Sequence, residues 1–172
     1  MKLIGEIEGS VNKLSQLNKS LLLLSKIENR QFEKSSDVVL QLLLDKIILN
    51  FEENLKIKSI SVKKEYFNQT VKQLNPLLAE ILFSNLIQNA IRYNIKDGII
   101  RIRLEENYFS ICNSGTQLNG NVETLFNRFA KFNSSVESLG LGLAIAKQVC
   151  NYYGFEINYN YEKNLHCFRI DF

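Results

Sequence analysis

The chain is expected to fold as an α+β protein: a two-layer α/β sandwich, with a mixed sheet covered on one face by helices, preceded by one long helix. Three observations carry this expectation. Apolar residues in the first thirty positions recur in steps of three or four, the spacing of a single helix stripe. Further on, segments with helical periodicity are mixed with strand-like segments without strict alternation. Hydrophobic residues make up 45% of 172 positions, which excludes a disordered chain and suffices for one domain with a core plus an appendage.

The leading stripe is Ile4, Ile7, Val11, Leu14, Leu17, Leu21, Leu24 and Ile27, with Gln, Asn, Lys and Ser on the other faces. A helix of this length has nothing near it in sequence to cover the stripe. It should pack on another helix, in this chain or in another copy, unless it is an ordinary core helix. Glu28 to Asp37 is polar and breaks the pattern, so a boundary is set there, with residues 1–34 forming one unit and 35–172 a second. Ser35, Ser36 and Asp37 offer capping groups for a helix from Val38 to Leu55. Lys58 to Lys63 alternates and reads as a strand, and Val71 to Leu74 as a short second one.

Asn75-Pro76 opens the next helix, with the only proline in its first turn, and that helix runs to about Tyr93. Asp97-Gly98 turns the chain into a hairpin of Ile99 to Leu104 and Tyr108 to Asn113. Asn119-Gly120 is a further turn. A short helix near Val122 to Phe129 precedes the polar stretch 131–138; within it, 132–138 has the composition of a mobile loop and the position of a lid, which a plain surface loop would share. Gly140 and Gly142 open the last major helix, ended by Gly154 after Tyr153. Phe155 to Tyr161 and Leu165 to Phe172 close the chain as a hairpin.

Composition excludes several classes. A net charge of +3 from 21 basic and 18 acidic residues, dispersed along the chain, does not argue for nucleic acid. Cys112, Cys150 and Cys167 form no CxxC, and the single histidine, His166, completes no metal set. Three reduced thiols in a reducing compartment are expected, and no structural zinc. No apolar run approaches a membrane span, and the N-terminus lacks the order of a signal peptide. The chain as it stands reads as soluble and intracellular, either whole or cut from a longer membrane protein.

Two segments carry the chemistry. In Asn85-Leu-Ile-Gln-Asn89-Ala-Ile-Arg92-Tyr93, two carboxamides lie at i, i+4 on one helix face beside apolar residues. Asparagine is a mediocre helix former, and a pair there costs stability unless it faces something polar. A carboxamide oxygen can hold magnesium without adding charge that repels a polyphosphate, and Asn89 is the better candidate, with Asn85 one turn earlier. Taken alone, such a pair more often hydrogen-bonds to neighbouring loops. Gly140-Leu-Gly142 sits just before Leu143-Ala-Ile-Ala-Lys147, where bare backbone N–H groups and the positive end of the helix can receive a phosphate. A simple loop-to-helix turn reads the same way. Asn113 and Gly115 follow a strand and could take an adenine edge, although alone they read little differently from a turn. Leu125-Phe126-Asn-Arg128-Phe129-Ala-Lys131 interleaves aromatic residues with two cations, which a plain core helix would also do.

In this order the pieces resemble the sensor histidine kinases of two-component systems, whose ATP-binding domain has the Bergerat-type fold shared with gyrase B, HSP90 and MutL. Asn85 to Tyr93 looks like the asparagine box, Leu125 to Phe129 like the phenylalanine box, and Gly140 to Lys147 like the second glycine box. The resemblance covers roughly residues 38 to 172. The leading helix is similar to the second helix of the family's dimerisation and histidine-phosphotransfer hairpin. The resemblance implies that Asn89 coordinates Mg2+ with Asn85 beside it, that Arg92 approaches the phosphates of ATP, and that Tyr93 packs near the adenine. Asn113 would face the adenine amino group, Gly115 would shape that pocket, Arg128 and Lys131 would reach the terminal phosphate, and Gly140 and Gly142 would cradle phosphates.

The chain departs from the family pattern in three places. Asn113 stands where Asp is usual, Gln117 and Ser138 stand where glycines are common, and the histidine box is absent. The resemblance therefore implies a cytoplasmic region of a membrane-anchored kinase, tied to the membrane only through upstream segments. It would act on a phosphoacceptor hairpin of the same or a partner protomer, dimerise in the full-length protein and relay to a response regulator. By itself it would not autophosphorylate. Two rivals remain at this level: a degenerate, non-catalytic nucleotide- or protein-binding module, and a serine kinase akin to the anti-sigma-factor kinases.

Overall fold

A computed structural model describes residues 2–32, 34–118, 121–130 and 138–172. Helix α1 spans Lys2–Glu28. Strand β1 (Ser36–Val39) leads into α2 (Leu40–Asn50) and the short α3 (Glu52–Ile57). Then come β2 (Ser61–Tyr66), β3 (Val71–Leu74), α4 (Pro76–Arg92), β4 (Ile99–Leu104) and β5 (Tyr108–Ser114). After a single 3-10 turn, Val122–Thr124, the chain ends with α5 (Gly142–Tyr153), β6 (Glu156–Glu162) and β7 (Leu165–Asp171).

The main sheet has five strands in the order β2-β4-β5-β7-β6. Only β2 and β4 are parallel, and the crossover between them carries α4; the other pairs are antiparallel. A separate two-stranded ribbon pairs β1 with β3. Alternation sorts the sheet's faces. Ile100, Ile102, Leu104, Phe109, Ile111, Ile157, Phe168 and Ile170 point to the helix layer and are buried. Against them α4 sets Leu78, Leu82, Phe83, Leu86 and Ile87, spaced by three and four along one helix stripe. Phe83 meets Phe109 edge to face at 5.0 Å. The expected sandwich, with helices on one face of a mixed sheet and a long helix ahead of it, is the fold observed.

Local chemistry explains where α4 begins and ends. The Asn75 side chain accepts from the backbone N–H groups of Leu77 and Leu78 at 3.0 and 3.2 Å, with Pro76 at the first turn. At the other end the Lys58 ammonium donates to the carbonyls of Ile91 and Arg92 at 3.0 and 2.8 Å. Burial, and then the Arg92 charge, lower the Lys58 pKa. Gly154 ends α5 in the left-handed region at φ 74°.

Four sequence expectations are corrected. Ser36 and Asp37 do not cap a helix; they pair with Leu74 and Gln73 in the β1–β3 ribbon, and α2 starts at Leu40, whose N–H donates to the Thr70 carbonyl. The helix expected to run from Val38 to Leu55 breaks at Phe51 into α2 and α3. Of the helix expected over Val122 to Phe129, only the 3-10 turn forms, capped by Asn121. The three thiols are not alike: Cys112 and Cys167, opposite each other on β5 and β7 with Cα atoms 4.1 Å apart, are joined in a disulfide. Cys150 stays free, its thiol pushed up to about 12 by burial, with the Lys147 charge acting in the other direction. The turn at Asn119-Gly120 and the lid segment 131–137 lie outside the described residues.

The leading stripe divides. Leu24 and Ile27 are buried in the same core as α5, with Leu17 and Leu21 packed against it. Ile4, Ile7, Val11 and Leu14 stay exposed.

Candidate functional site

Between α4, the start of α5 and the sheet lies an open-mouthed cavity that gathers polar side chains and bare backbone from distant segments. Helix α4 contributes Asn85, Asn89 and Arg92, and Tyr93 caps its end. Gly140 and Gly142 come from the start of α5, Asn113 from β5, and His166 and Phe168 from β7. Ser138 closes one side, its hydroxyl 3.3 Å from that of Tyr93. Segments far apart in sequence thus meet on one cavity because α4 and α5 pack side by side on the same sheet face.

The phosphate side is built by absence of side chains. A Cβ on Gly142 would lie 2.8 Å from the Asn85 side-chain oxygen. Gly140 has φ 68°, and a Cβ there would lie 2.7 Å from the Phe129 carbonyl carbon. The first N–H groups of α5 are left without helical acceptors, and they coincide with the positive end of the helix. Opposite stand Asn85 and Asn89 one turn apart, with Asn85 held by its amide donating to the Ile81 carbonyl at 2.8 Å.

On the β5 side of the cavity stands Asn113. Asn113 is 1% exposed, and its Nδ2 donates to the Ser114 carbonyl at 3.0 Å, which turns Oδ1 the other way as an acceptor. A cradle of bare backbone, two neutral oxygen donors and a buried acceptor together fit a nucleotide carrying a divalent ion. The neutral oxygens suit magnesium, which binds few protein ligands and keeps several waters.

Seven of the residues singled out in the sequence line this cavity: Asn85, Asn89, Arg92, Tyr93, Asn113, Gly140 and Gly142. Gly115 stands just outside, where a Cβ would lie 2.5 Å from the His166 ring, so its role here is to make room for that ring. Arg128 is not among the lining residues and pairs with Glu28 at the end of α1. Lys131 lies outside the described residues.

His166, assigned no part in the site from sequence, lines the cavity and is 5% exposed. Strand alternation held the signal: His166 shares the inward face with Phe168 and Ile170. The Tyr159 hydroxyl lies 2.7 Å from His166 Nδ1, and the Thr116 carbonyl 2.9 Å from Nε2. Burial lowers the His166 pKa, with the Thr116 carbonyl acting in the other direction. Burial and the neighbouring Tyr161 push the Tyr159 hydroxyl up to about 12.

Residues 75–171 match the family described as histidine kinase-, DNA gyrase B-, and HSP90-like ATPase. The heme sensor protein HssS of Staphylococcus haemolyticus is 34% identical over 163 residues, covering 91% of this chain and 36% of HssS. The chain thus spans about a third of the length of the curated relatives it matches. Among solved structures, the Acinetobacter baumannii histidine kinase AdeS superposes with a TM-score of 0.76 at 22% identity, covering 98% of this chain and 82% of that one. Histidine kinase ThkA in complex with the response regulator protein TrrA gives 0.69 at 22% identity, covering 94% and 48%. At such identities the two structures speak to the fold alone. Among the described residues, no helix is long and apolar enough to cross a membrane.

Proposed function

The chain belongs to the histidine kinase-, DNA gyrase B-, and HSP90-like ATPase family, and from that premise we propose that it works as the ATP-binding catalytic region of a sensor histidine kinase. The observation that carries this is the two-sided cavity, with paired carboxamides on α4 facing bare backbone at the start of α5. In this reading Asn89 holds Mg2+, and Asn85 orders the adjoining side of the cavity. Bound there, Mg2+ would supply neutralisation of the phosphate charge. Amides around Gly140 and Gly142 take phosphate oxygens at the positive end of α5. Arg92 adds a cation on the α4 side. Tyr93 packs near the adenine, and Asn113 Oδ1 accepts from its amino group.

Arg128 reaches the terminal phosphate by exchanging the Glu28 carboxylate for a phosphate oxygen, an exchange between two exposed partners that costs little. Lys131 is proposed to act beside it. The contribution of the protein is therefore positioning and charge neutralisation rather than covalent chemistry.

The phosphoryl group leaves ATP for a histidine. His166 is the chain's only histidine, and it is buried with both ring nitrogens engaged. The acceptor is therefore supplied from outside these residues, by a hairpin of the same or a partner protomer. We assign α1, with residues 1–34, to the second helix of such a hairpin and residues 35–172 to the catalytic domain. From the acceptor histidine the group passes to an aspartate of a response regulator. In the full-length protein, a homodimer anchored in the membrane by other segments is proposed.

Calorimetric titration with ATP and ADP, each with and without Mg2+, and repeated on Asn89→Ala, tests this. Magnesium-dependent binding that the variant loses is expected. Absence of binding under every condition would favour the non-catalytic module instead, with Asn113 and Gln117 as the first residues to examine.

A further inference from the structure

One buried, hydrogen-bonding side chain in the cavity has no part in that scheme. His166 and Asn113 are register partners on β7 and β5, side by side on the inward face. The Thr116 carbonyl beside His166 Nε2 can only accept, so Nε2 carries the proton and donates. In the neutral ring Nδ1 is then a lone pair, and it accepts the proton of the Tyr159 hydroxyl. Tyr159 lines the same cavity, so an uncommitted hydroxyl there would be a donor at the base end. The Asn113 amide is likewise turned by the Ser114 carbonyl so that its oxygen faces the other way.

We propose that His166 is a specificity-determining residue for the nucleobase: by accepting the Tyr159 proton and holding the Thr116 carbonyl, it leaves the base end of the cavity presenting an acceptor without a competing hydroxyl donor. An amino group at the purine six-position then finds its partner in Asn113, while a six-oxo purine sets oxygen against oxygen. The inference rests on the nucleotide-binding reading above. The depressed pKa of His166 agrees with a ring that stays neutral near pH 7. Gly115 belongs to the same device, since any side chain there would meet the imidazole.

The test is to titrate the chain with ATP and ITP in the presence of Mg2+, then His166→Phe, Tyr159→Phe and the double variant. Phenylalanine keeps the ring but frees the Tyr159 hydroxyl, which can then donate to the six-oxygen of ITP. The preference for ATP over ITP is expected to fall about tenfold or more in His166→Phe, the effect of supplying a partner to a buried polar atom. It should return in the double variant, which has no hydroxyl to donate. A purely structural role for His166 would not be rescued by removing that hydroxyl. A preference unchanged in His166→Phe, or lowered and not restored by Tyr159→Phe, overturns the proposal. If His166→Phe does not fold, His166→Leu carries the same expectation, because its aliphatic side chain likewise offers the Tyr159 hydroxyl no acceptor in place of Nδ1. Failure of the unaltered chain to bind ATP at all is a separate outcome, which overturns the nucleotide-binding reading itself.

Discussion

The two glycines at the start of α5 should respond to the same substitution in opposite ways. In Gly140→Ala the new methyl meets backbone: 2.7 Å to the Phe129 carbonyl carbon and 2.8 Å to the Ala130 oxygen. It also places an L residue at φ 68°, while the Gly140 carbonyl is tied to the Phe129 N–H at 2.8 Å. The left-handed backbone costs about 1–2 kcal/mol, and moving main chain out of contact adds a similar amount, so a loss of about 2–4 kcal/mol is expected. In a chain of this size that is a fall in Tm of about 5–12 °C.

In Gly142→Ala the methyl meets only the end of a flexible side chain, the Asn85 oxygen at 2.8 Å. Asn85 can turn away at the expense of its bond to the Ile81 carbonyl, worth about 1 kcal/mol. Alanine in a helix returns about 0.5–1 kcal/mol over glycine. The net change in stability should stay within about 1 kcal/mol. Binding should nevertheless suffer, because the displaced amide and the methyl both intrude on the phosphate side; a tenfold loss corresponds to about 1.4 kcal/mol. Urea unfolding and calorimetric titration with Mg2+ and ATP, run on both variants, separate the two effects. Equal destabilisation by both substitutions, or unaltered ATP affinity in Gly142→Ala, would refute the reasoning.

Two further outcomes follow from the fold. Lys58→Met keeps the aliphatic stem but removes both bonds to the last carbonyls of α4; it should destabilise by about 1–2 kcal/mol in urea unfolding and loosen Arg92 and Tyr93 at that helix end. His166 binds its proton less readily folded than unfolded, so the unfolded chain holds more protons as pH falls from the ordinary histidine value toward the lowered one. The stability it contributes is present above about pH 6.5 and is lost as pH falls through that window, so unfolding free energy measured from pH 7.5 to 5 should decline in the native chain and decline less in His166→Phe.

Much of the fold was legible because its signals are local. The Asn75-Pro76 start of α4, the Asp97-Gly98 turn, the hairpins and the glycine that ends α5 each depend on residues within a few positions of one another. The candidate site was legible where its chemistry rides on helices, since the period of α4 alone sets Asn85 and Asn89 on one face. Elsewhere the local signal was ambiguous. Ser36 and Asp37 are good capping residues, but the unpaired edge of β3 claimed their backbone. Leu125 to Phe129 has an apolar pattern suited to a helix, yet Phe129 takes a positive φ of 64° and its N–H bonds across to Gly140.

Most of the elements, their order and the polar character of the cavity were legible in the sequence, because propensity, capping and periodicity act over a few residues. The pairings between distant segments came from the packing of the whole chain. Cys112 meets Cys167 across 55 residues of chain because β5 and β7 are neighbours in that register. The same register sets His166 beside Asn113, and the end of α1 lies close enough for Glu28 to pair with Arg128. Register and helix packing are set by burial of whole faces at once, and no local stretch of sequence encodes which of two inward residues will stand opposite a third.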